Sequence, residues 1–235
     1  MFGRTAAATE ILKKVPFFNQ LSQEEAASLA DRLVPRHFSA NQIIFHLGDP
    51  GGLLYIITEG KVKISNSTPE GQEALLAILG TGDFFGELAL LDDSPRSATA
   101  EAIEPTETLT LHRDEFIRFL NNNPGFAYHV MHTLAKRIRN LNDQISDVFF
   151  LDLNGRLART LLNLARKHGR PVENGTLIDI SLTQTDLAEM TGATRVSINK
   201  TLGRFRRAKW VKMDGRNLIV TDDEALRNLI QMAGG

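Results

Sequence analysis

The chain has 235 residues, of which 42% are hydrophobic and 23% charged, a composition typical of a globular protein and not of a disordered one. It contains no cysteine, which excludes disulfides, thiolate metal sites, iron–sulfur clusters and cysteine nucleophiles and agrees with a reducing cytoplasm. No apolar run is long enough to span a bilayer and no secretory signal pattern is present, so we expect a cytoplasmic protein without a membrane partner.

The net charge of −1 is divided unevenly along the chain. Residues 151–235 carry 14 Lys and Arg against 9 Asp and Glu, a net charge of +5, whereas residues 1–150 carry 13 against 19, a net charge of −6. A basic C-terminal part suits a polyanion such as nucleic acid, and the acidic remainder does not.

The first half of the chain changes from a helical to a β-strand pattern. Residues 8–33 have a helical pattern that Pro16 interrupts. Short β-rich runs separated by glycine turns then follow at 42–46, 53–58, 61–65, 73–79, 97–103 and 106–111. Many short strands at this spacing predict a sandwich or a barrel.

A helix with a narrow apolar stripe is predicted after Pro124. Its apolar residues are spaced alternately by three and four positions, as in a coiled-coil seam: Met131, Leu134, Ile138, Leu141, Ile145 and Val148. The stripe favours a parallel contact between two copies of the helix. The alternative is a helix that packs on its own β-domain.

The basic part of the chain has the pattern of a helix-turn-helix. Asn154 is expected to cap a helix over 155–167, and a loop over 168–175 and a short strand over 177–180 follow. In residues 183–202, Thr183 and Thr194 are placed to cap two helices, and Gly192 permits the tight turn between them. A hairpin that joins 210–213 to 218–221 is interpreted as a wing, and a final helix is predicted over 222–232.

Arg195 and Lys200 are the candidates for contacts with base edges, because both side chains can pair with guanine. Arg204, Arg206, Arg207 and Lys209 are the candidates for phosphate contacts. The candidate DNA-binding set is Thr183, Thr194, Arg195, Ser197, Asn199, Lys200, Arg204 and Arg206. The alternative is a solvated basic face on a winged helix that binds protein.

Residues 84–100 carry the chemistry of a binding site for a phosphorylated ligand. They combine a glycine amide, a carboxylate, an arginine and an adjacent hydroxyl in Gly86, Glu87, Arg96 and Ser97. A phosphodiester needs a guanidinium and backbone N–H donors, and a ribose hydroxyl needs an acceptor. Other phosphorylated ligands fit the same groups, and so does a surface salt bridge between Glu87 and Arg96.

This stretch resembles the phosphate-binding cassette of cyclic-nucleotide-binding domains, and the chain as a whole resembles the CRP/FNR family of bacterial regulators. Residues 150–158 and 161–165 resemble the hinge of that family and its first DNA-domain helix. The resemblance implies an α+β fold with three parts. These are an N-terminal double-stranded β-helix (jelly-roll) cyclic-nucleotide-binding domain over 1–124, a long dimerisation helix over 125–150, and a C-terminal winged helix-turn-helix DNA-binding domain over 151–235.

The resemblance also implies the ligand contacts. Glu87 would accept a hydrogen bond from the ribose 2′-hydroxyl, and Arg96, Ser97 and Gly86 would hold the cyclic phosphate. Arg137 would lie near the ligand on the long helix. The implied ligand-binding set is Gly86, Glu87, Leu88, Arg96, Ser97, Arg137 and Asn142, with cyclic AMP or another cyclic nucleotide as the effector.

Two positions depart from the family pattern. The Thr-Ser or Thr-Asn pair that contacts adenine aligns with Leu141-Asn142, and Leu141 cannot hydrogen-bond a base. Because Leu141 also occupies the seam, our hypothesis is that the ligand-free protein already populates the DNA-competent state. The second departure lies in the second helix of the helix-turn-helix, the recognition helix. There Arg195-Val196 replaces the common Arg-Glu pair, so a cytosine contact is lost. The Arg-Val pair resembles the nitrogen-control branch of the family.

The interpretation is a homodimeric, ligand-controlled transcription regulator that binds palindromic DNA and is not an enzyme. Residues 168–175 resemble the RNA-polymerase-contacting loop of the family, and a plain connector is an equal alternative. His129 and His132 lack a third ligand, so no metal is expected. The alternatives are a cyclic-nucleotide module that controls another protein, a haem sensor, and a family regulator that is active without ligand or with a different effector.

Overall fold

The computed structural model describes Leu12, Phe18 and residues 21–68, 73–180, 182–215 and 217–233. The chain divides into two units, and the boundary lies between Arg137 and Ile138, inside one continuous helix. Each unit has its own β-sheet structure and its own buried apolar side chains. No helix of the described residues is both long enough and apolar enough to cross a membrane.

Two antiparallel four-stranded sheets build the N-terminal unit. In spatial order the first sheet contains Val34–Phe38, Thr106–His112, Leu53–Glu59 and Phe84–Phe85. The second contains Gln42–Phe45, Thr99–Ala102, Val62–Ser67 and Glu73–Leu79. The prediction of an N-terminal β-roll is therefore confirmed.

The strand Leu53–Glu59 shows how the sequence builds this unit. Because successive side chains on a strand point to opposite faces, Tyr55 and Ile57 enter the core between the two sheets. Leu54 and Ile56 enter a second core on the other face, which the helices of the unit cover. The strand is buried on both faces, which explains its nearly continuous apolar sequence.

The described helices of the N-terminal unit include Gln23–Ala30, Leu88–Leu91, Arg113–Asn122 and the first part of Pro124–Phe150. Ser22 and Glu25 form a capping box at the start of the first of these. Most of the rest of the helical stretch predicted over 8–33 lies outside the described residues.

The long helix, Pro124–Phe150, changes its role along its length. Phe126 and Val130 are buried in the second core, and Leu134 packs half-buried against it. For these turns the alternative of packing on its own β-domain holds. The other five residues of the predicted seam are between 51% and 62% exposed: Met131, Ile138, Leu141, Ile145 and Val148.

Among its described residues, the C-terminal unit contains the last part of the long helix, four further helices and one sheet. The four further helices are Leu153–His168, Gln184–Thr191, Arg195–Arg207 and Asp223–Ala233. In spatial order the antiparallel sheet contains Val211–Asp214, Asn217–Val220, Gly175–Ile178 and Gly169–Val172. The first two strands form the predicted wing.

Two local predictions in this unit are wrong. Residues 169–172, expected to belong to a loop, form an edge strand that pairs with 175–178, and an edge strand tolerates Pro171. The cap of the helix Leu153–His168 is Asp152, whose side chain accepts from the amide of Gly155 at 2.9 Å. Asn154 lies inside the helix, where its side chain donates to Asp152 at 2.7 Å.

Candidate ligand site and candidate nucleic-acid interface

Arg96 is held inside the N-terminal unit. Its backbone N–H donates to Asp49 and its carbonyl accepts from Gly48, both at 2.9 Å. Its side chain enters the protein and leaves the residue only 4% exposed. The two terminal nitrogens donate to the carbonyls of Gly86 and Leu53, each at 2.9 Å.

The Arg96 guanidinium also packs on aromatic side chains that sequence reasoning missed. Its central carbon lies 4.2 Å from the centre of the Phe45 ring and 5.7 Å from that of Tyr55. Cation–π contacts of this kind stabilise a buried positive charge. The alternation of apolar residues places Phe45 and Tyr55 on strands, but no local signal connects either ring to position 96.

One donor of Arg96 has no partner. Its Nε is buried, and no acceptor lies within hydrogen-bonding distance of it among the described residues. Burial lowers the pKa of the Arg96 guanidinium, and the electrostatic influence of Tyr55, Asp49 and Glu87 acts in the opposite direction. An anionic oxygen at this donor would satisfy the N–H and offset the desolvation of the charge.

Gly86 is fixed by its surroundings. Its φ of +83° lies in the left-handed region. A Cβ at this position would lie 2.6 Å from Arg96 Nη1 and 3.0 Å from the carbonyl of Leu53. A side chain here would therefore strain the backbone and displace the Arg96 guanidinium.

Glu87 is 3% exposed, and its partner is Arg137 of the long helix. Arg137 Nη1 lies 2.5 Å from Glu87 Oε1, and Nη2 donates to the carbonyl of Phe84 at 2.7 Å. The alternative of a surface salt bridge between Glu87 and Arg96 is excluded, because both side chains are buried and each has other partners. The carboxylate retains lone pairs that could accept a ligand hydroxyl.

The remaining candidates of the ligand set are exposed. Leu88 is 46% exposed at the start of the short helix Leu88–Leu91, and Ser97 is also exposed. Asn142 is exposed on the long helix, in the other unit. The donor set at Arg96 and the acceptor at Glu87 fit a small anion that carries hydroxyl groups.

The helix-turn-helix is built as the sequence predicts. The Thr183 hydroxyl accepts from the Asp186 amide at 3.1 Å, and the Asp186 carboxylate accepts from the Thr183 amide at 2.7 Å. Gly192 ends that helix with a φ of +62°. Thr194 caps the next helix by accepting from the Ser197 amide at 3.2 Å. Thr183, Thr194 and Ser197 therefore all have partners within the motif.

The recognition helix, Arg195–Arg207, separates buried from exposed side chains. Ile198, Thr201, Leu202 and Phe205 are buried. The opposite side carries exposed residues, including Arg195, Val196, Asn199, Lys200, Arg206 and Arg207. Among the described residues, no hydrogen bond or ion pair engages the side chains of Arg195, Lys200, Arg206 and Arg207, which leaves four cations accessible to a polyanion.

Arg204 differs from its neighbours because it is tied to the protein. Its Nη2 donates to Asn154 Oδ1 at 2.7 Å and to Thr201 Oγ1 at 3.0 Å. Asn199 is also engaged, since its side-chain oxygen accepts from Gln184 at 3.3 Å. Of the arginines expected at phosphates, Arg206 and Arg207 are free of such contacts among the described residues and Arg204 is not.

The histidines proposed as weak metal candidates pack beside an aromatic ring. Tyr128 stacks on His132 with ring centres 6.4 Å apart, and its centre lies 6.0 Å from that of His129. Within the described residues, no group of three or more His, Cys, Asp or Glu side chains is placed to hold a metal ion.

Each of the two units contains a match to a known domain family. Residues 35–123 match the cyclic nucleotide-binding domain family, and residues 155–229 match the Crp-like helix-turn-helix domain family. These ranges contain the cluster around Arg96 and the recognition helix, respectively.

Known relatives match over most of the chain. It is 34% identical over 217 residues to the CRP-like cAMP-activated global transcriptional regulator of Mycobacterium tuberculosis, covering 92% of this chain and 97% of the relative. It is 32% identical over 191 residues to the cyclic AMP receptor protein of Thermus thermophilus, covering 81% and 85%. The solved structure of the c-di-GMP-responsive global regulator CLP from Xanthomonas campestris superposes with a TM-score of 0.74 at 21% identity, over 85% of this chain and 99% of that one. The last likeness concerns the fold alone.

Proposed function

Because the chain belongs to the CRP/FNR family of transcriptional regulators, we propose that it acts in the cytoplasm as a homodimer that binds a cyclic nucleotide and a palindromic DNA site. Members of this family combine a cyclic-nucleotide-binding domain with a DNA-binding domain, and this chain matches both. We propose no catalytic activity for it.

The proposed binding of a cyclic nucleotide rests on one observation, the buried side chain of Arg96 with its unpartnered Nε. A buried arginine with an unpartnered Nε costs free energy unless a ligand acceptor approaches it. The cyclic phosphate of the effector would supply that acceptor, while Glu87 accepts from the ribose and Arg137 connects the carboxylate to the long helix. Gly86, Leu88, Ser97 and Asn142 would complete the contacts.

Cyclic AMP is the proposed effector because two relatives at 34% and 32% identity are named for it. The CLP regulator, which shares the fold, responds to c-di-GMP, so one fold accommodates more than one effector. Cyclic AMP, cyclic GMP and cyclic di-GMP are therefore the ligands to compare.

On the DNA side, Arg195 and Lys200 would contact base edges, and Arg206 would contact phosphate. In a two-fold dimer the two recognition helices would enter successive major grooves about 34 Å apart. RNA polymerase is a further proposed partner of residues 168–175, which include the exposed Arg170, Pro171, Glu173 and Asn174.

Calorimetric titration with the three cyclic nucleotides tests the proposed nucleotide binding. We expect Arg96→Gln to lose at least a hundredfold in affinity for cyclic AMP, because the variant lacks the guanidinium and its positive charge. Arg118→Gln, which removes an exposed arginine paired with Glu115, is the matched control and should bind like the parent chain. No binding of any of the three nucleotides by the parent chain, or equal binding by both variants, would contradict the proposal.

A further inference from the structure

The recognition helix presents an apolar side chain at the centre of its exposed face. Val196 is 71% exposed. At 100° per residue it lies opposite the buried Ile198, Leu202 and Phe205, on one stripe with Lys200 and Gly203. A β-branched residue is a poor choice at an exposed helical position, because its rotamers are restricted there and no burial compensates. The stability of the helix therefore gives no reason for valine.

The charges around Val196 identify what would cover it. Arg195 and Lys200 flank it with side chains that have no hydrogen bond or ion pair among the described residues, and Arg206 and Arg207 extend the positive charge along the helix. A protein partner with an apolar pocket would have to desolvate these cations. Duplex DNA neutralises them with phosphates while the valine faces the groove.

Gly203 supports the same approach. It lies two turns further along the stripe, and among the described residues a Cβ built on it would meet no atom within 4 Å. Glycine inside a helix is unfavourable, and packing within the described protein does not require it here. Glycine does permit another molecule to approach the helix closely on this face.

In the major groove the apolar group on the edge of a base is the C5-methyl of thymine. The edges of guanine and adenine, and the amino group of cytosine, present hydrogen-bonding atoms that valine cannot pair. We propose that Val196 reads a thymine by packing against its methyl group. The inference rests on the proposed DNA-binding function and adds a specificity-determining residue to it.

Deoxyuridine substitution tests the contact, because it removes only the methyl group. Operators would be selected from random duplex DNA with the full chain and cyclic AMP, and each thymine of one half-site would then be replaced singly. We expect one position to lose about fourfold in affinity, the equivalent of ~0.8 kcal/mol for one buried methyl. Val196→Ala should weaken binding to the thymine operator and remove the effect of deoxyuridine at that position.

Val34→Ala is the matched control, since Val34 is 51% exposed in the N-terminal unit. It should keep the full deoxyuridine effect. Alanine raises helix propensity at position 196, so lost binding would not reflect a lost helix. A selected site whose deoxyuridine effects persist in Val196→Ala would overturn the inference but leave the proposed function standing. Failure to select any site would overturn both.

Discussion

Asp152 fixes the start of the helix Leu153–His168. Its pKa lies below the ordinary value of 3.8, chiefly because its carboxylate accepts from the Gly155 amide, whereas its partial burial acts in the opposite direction. The folded pKa is lower than the unfolded one, so the stabilisation is complete above pH 3.8 and is lost as the pH falls through the folded pKa. Asp152→Ala should therefore lower the free energy of unfolding by about 1 kcal/mol at pH 7, and by less in acid.

The fluorescence of Trp210 measures this, since it is the single tryptophan and lies in the C-terminal unit, 5.5 Å from the Phe205 ring. Asp152→Asn is the control, because asparagine caps a helix equally well but does not titrate. It should match the parent chain at pH 7. A difference between Asp152→Ala and the parent chain that stays constant from pH 7 down to pH 2 would contradict the prediction.

At this scale the sequence indicates residue types better than partners. Asp152 and Asn154 are both good caps two positions apart, and only the backbone decides that Asp152 caps while Asn154 accepts from Arg204. The Glu87–Arg137 pair joins residues 50 positions apart, and the residue pattern alone gives no sign of it. Burial, which makes the Arg96 cluster distinctive, depends on the folded sheets.

Among the elements, the long helix has the clearest unpartnered surface. Ile145 is 57% exposed in the middle of the predicted seam, where a second copy of the helix would bury it. Ile145→Lys should weaken a dimer by about 3 kcal/mol or more, since both copies lose a buried isoleucine. Light scattering across a dilution series measures this, and Asn140→Lys, on the outer side of the same helix, should remain dimeric. A dimer that survives Ile145→Lys would place the interface elsewhere.

Most elements follow from periodicity and punctuation. Glycine turns separate the strands of the N-terminal unit, and the spacing of Met131 to Val148 predicts one continuous helix, as observed. The strand at 169–172 escapes prediction because a glycine, an arginine and a proline in four residues are typical of a loop. Residues 173 and 174 form a two-residue turn that allows 169–172 to pair with 175–178. The flanking residues lack the apolar alternation that would indicate a hairpin.

At the scale of the whole molecule, the net negative charge lies in residues 1–150 and the net positive charge in residues 151–235. The basic part that begins at Leu151 carries the recognition helix, and the acidic part carries the Arg96 cluster. In the proposed regulator, the acidic part would repel the phosphates of DNA and leave the polyanion to the basic part. In the proposed dimer, coupling between the ligand site and the DNA-binding helices requires two states that differ in their affinity for each ligand.

Leu141 bears on how large that coupling is. It is 51% exposed on the helix in this chain, at a seam position that is polar in the family pattern. Two leucines that pair across a dimer would stabilise the DNA-competent arrangement without ligand, so cyclic AMP would have less to contribute. We expect operator affinity to rise less than a hundredfold on adding cyclic AMP, which is less than ~2.7 kcal/mol of coupling.

Leu141→Thr should lower the operator affinity of the ligand-free protein and enlarge its response to cyclic AMP. Asn140→Thr, one position away and outside the seam, should change neither. Activation of the parent chain by a hundredfold or more would show that the ligand, and not the apolar seam, determines the active state.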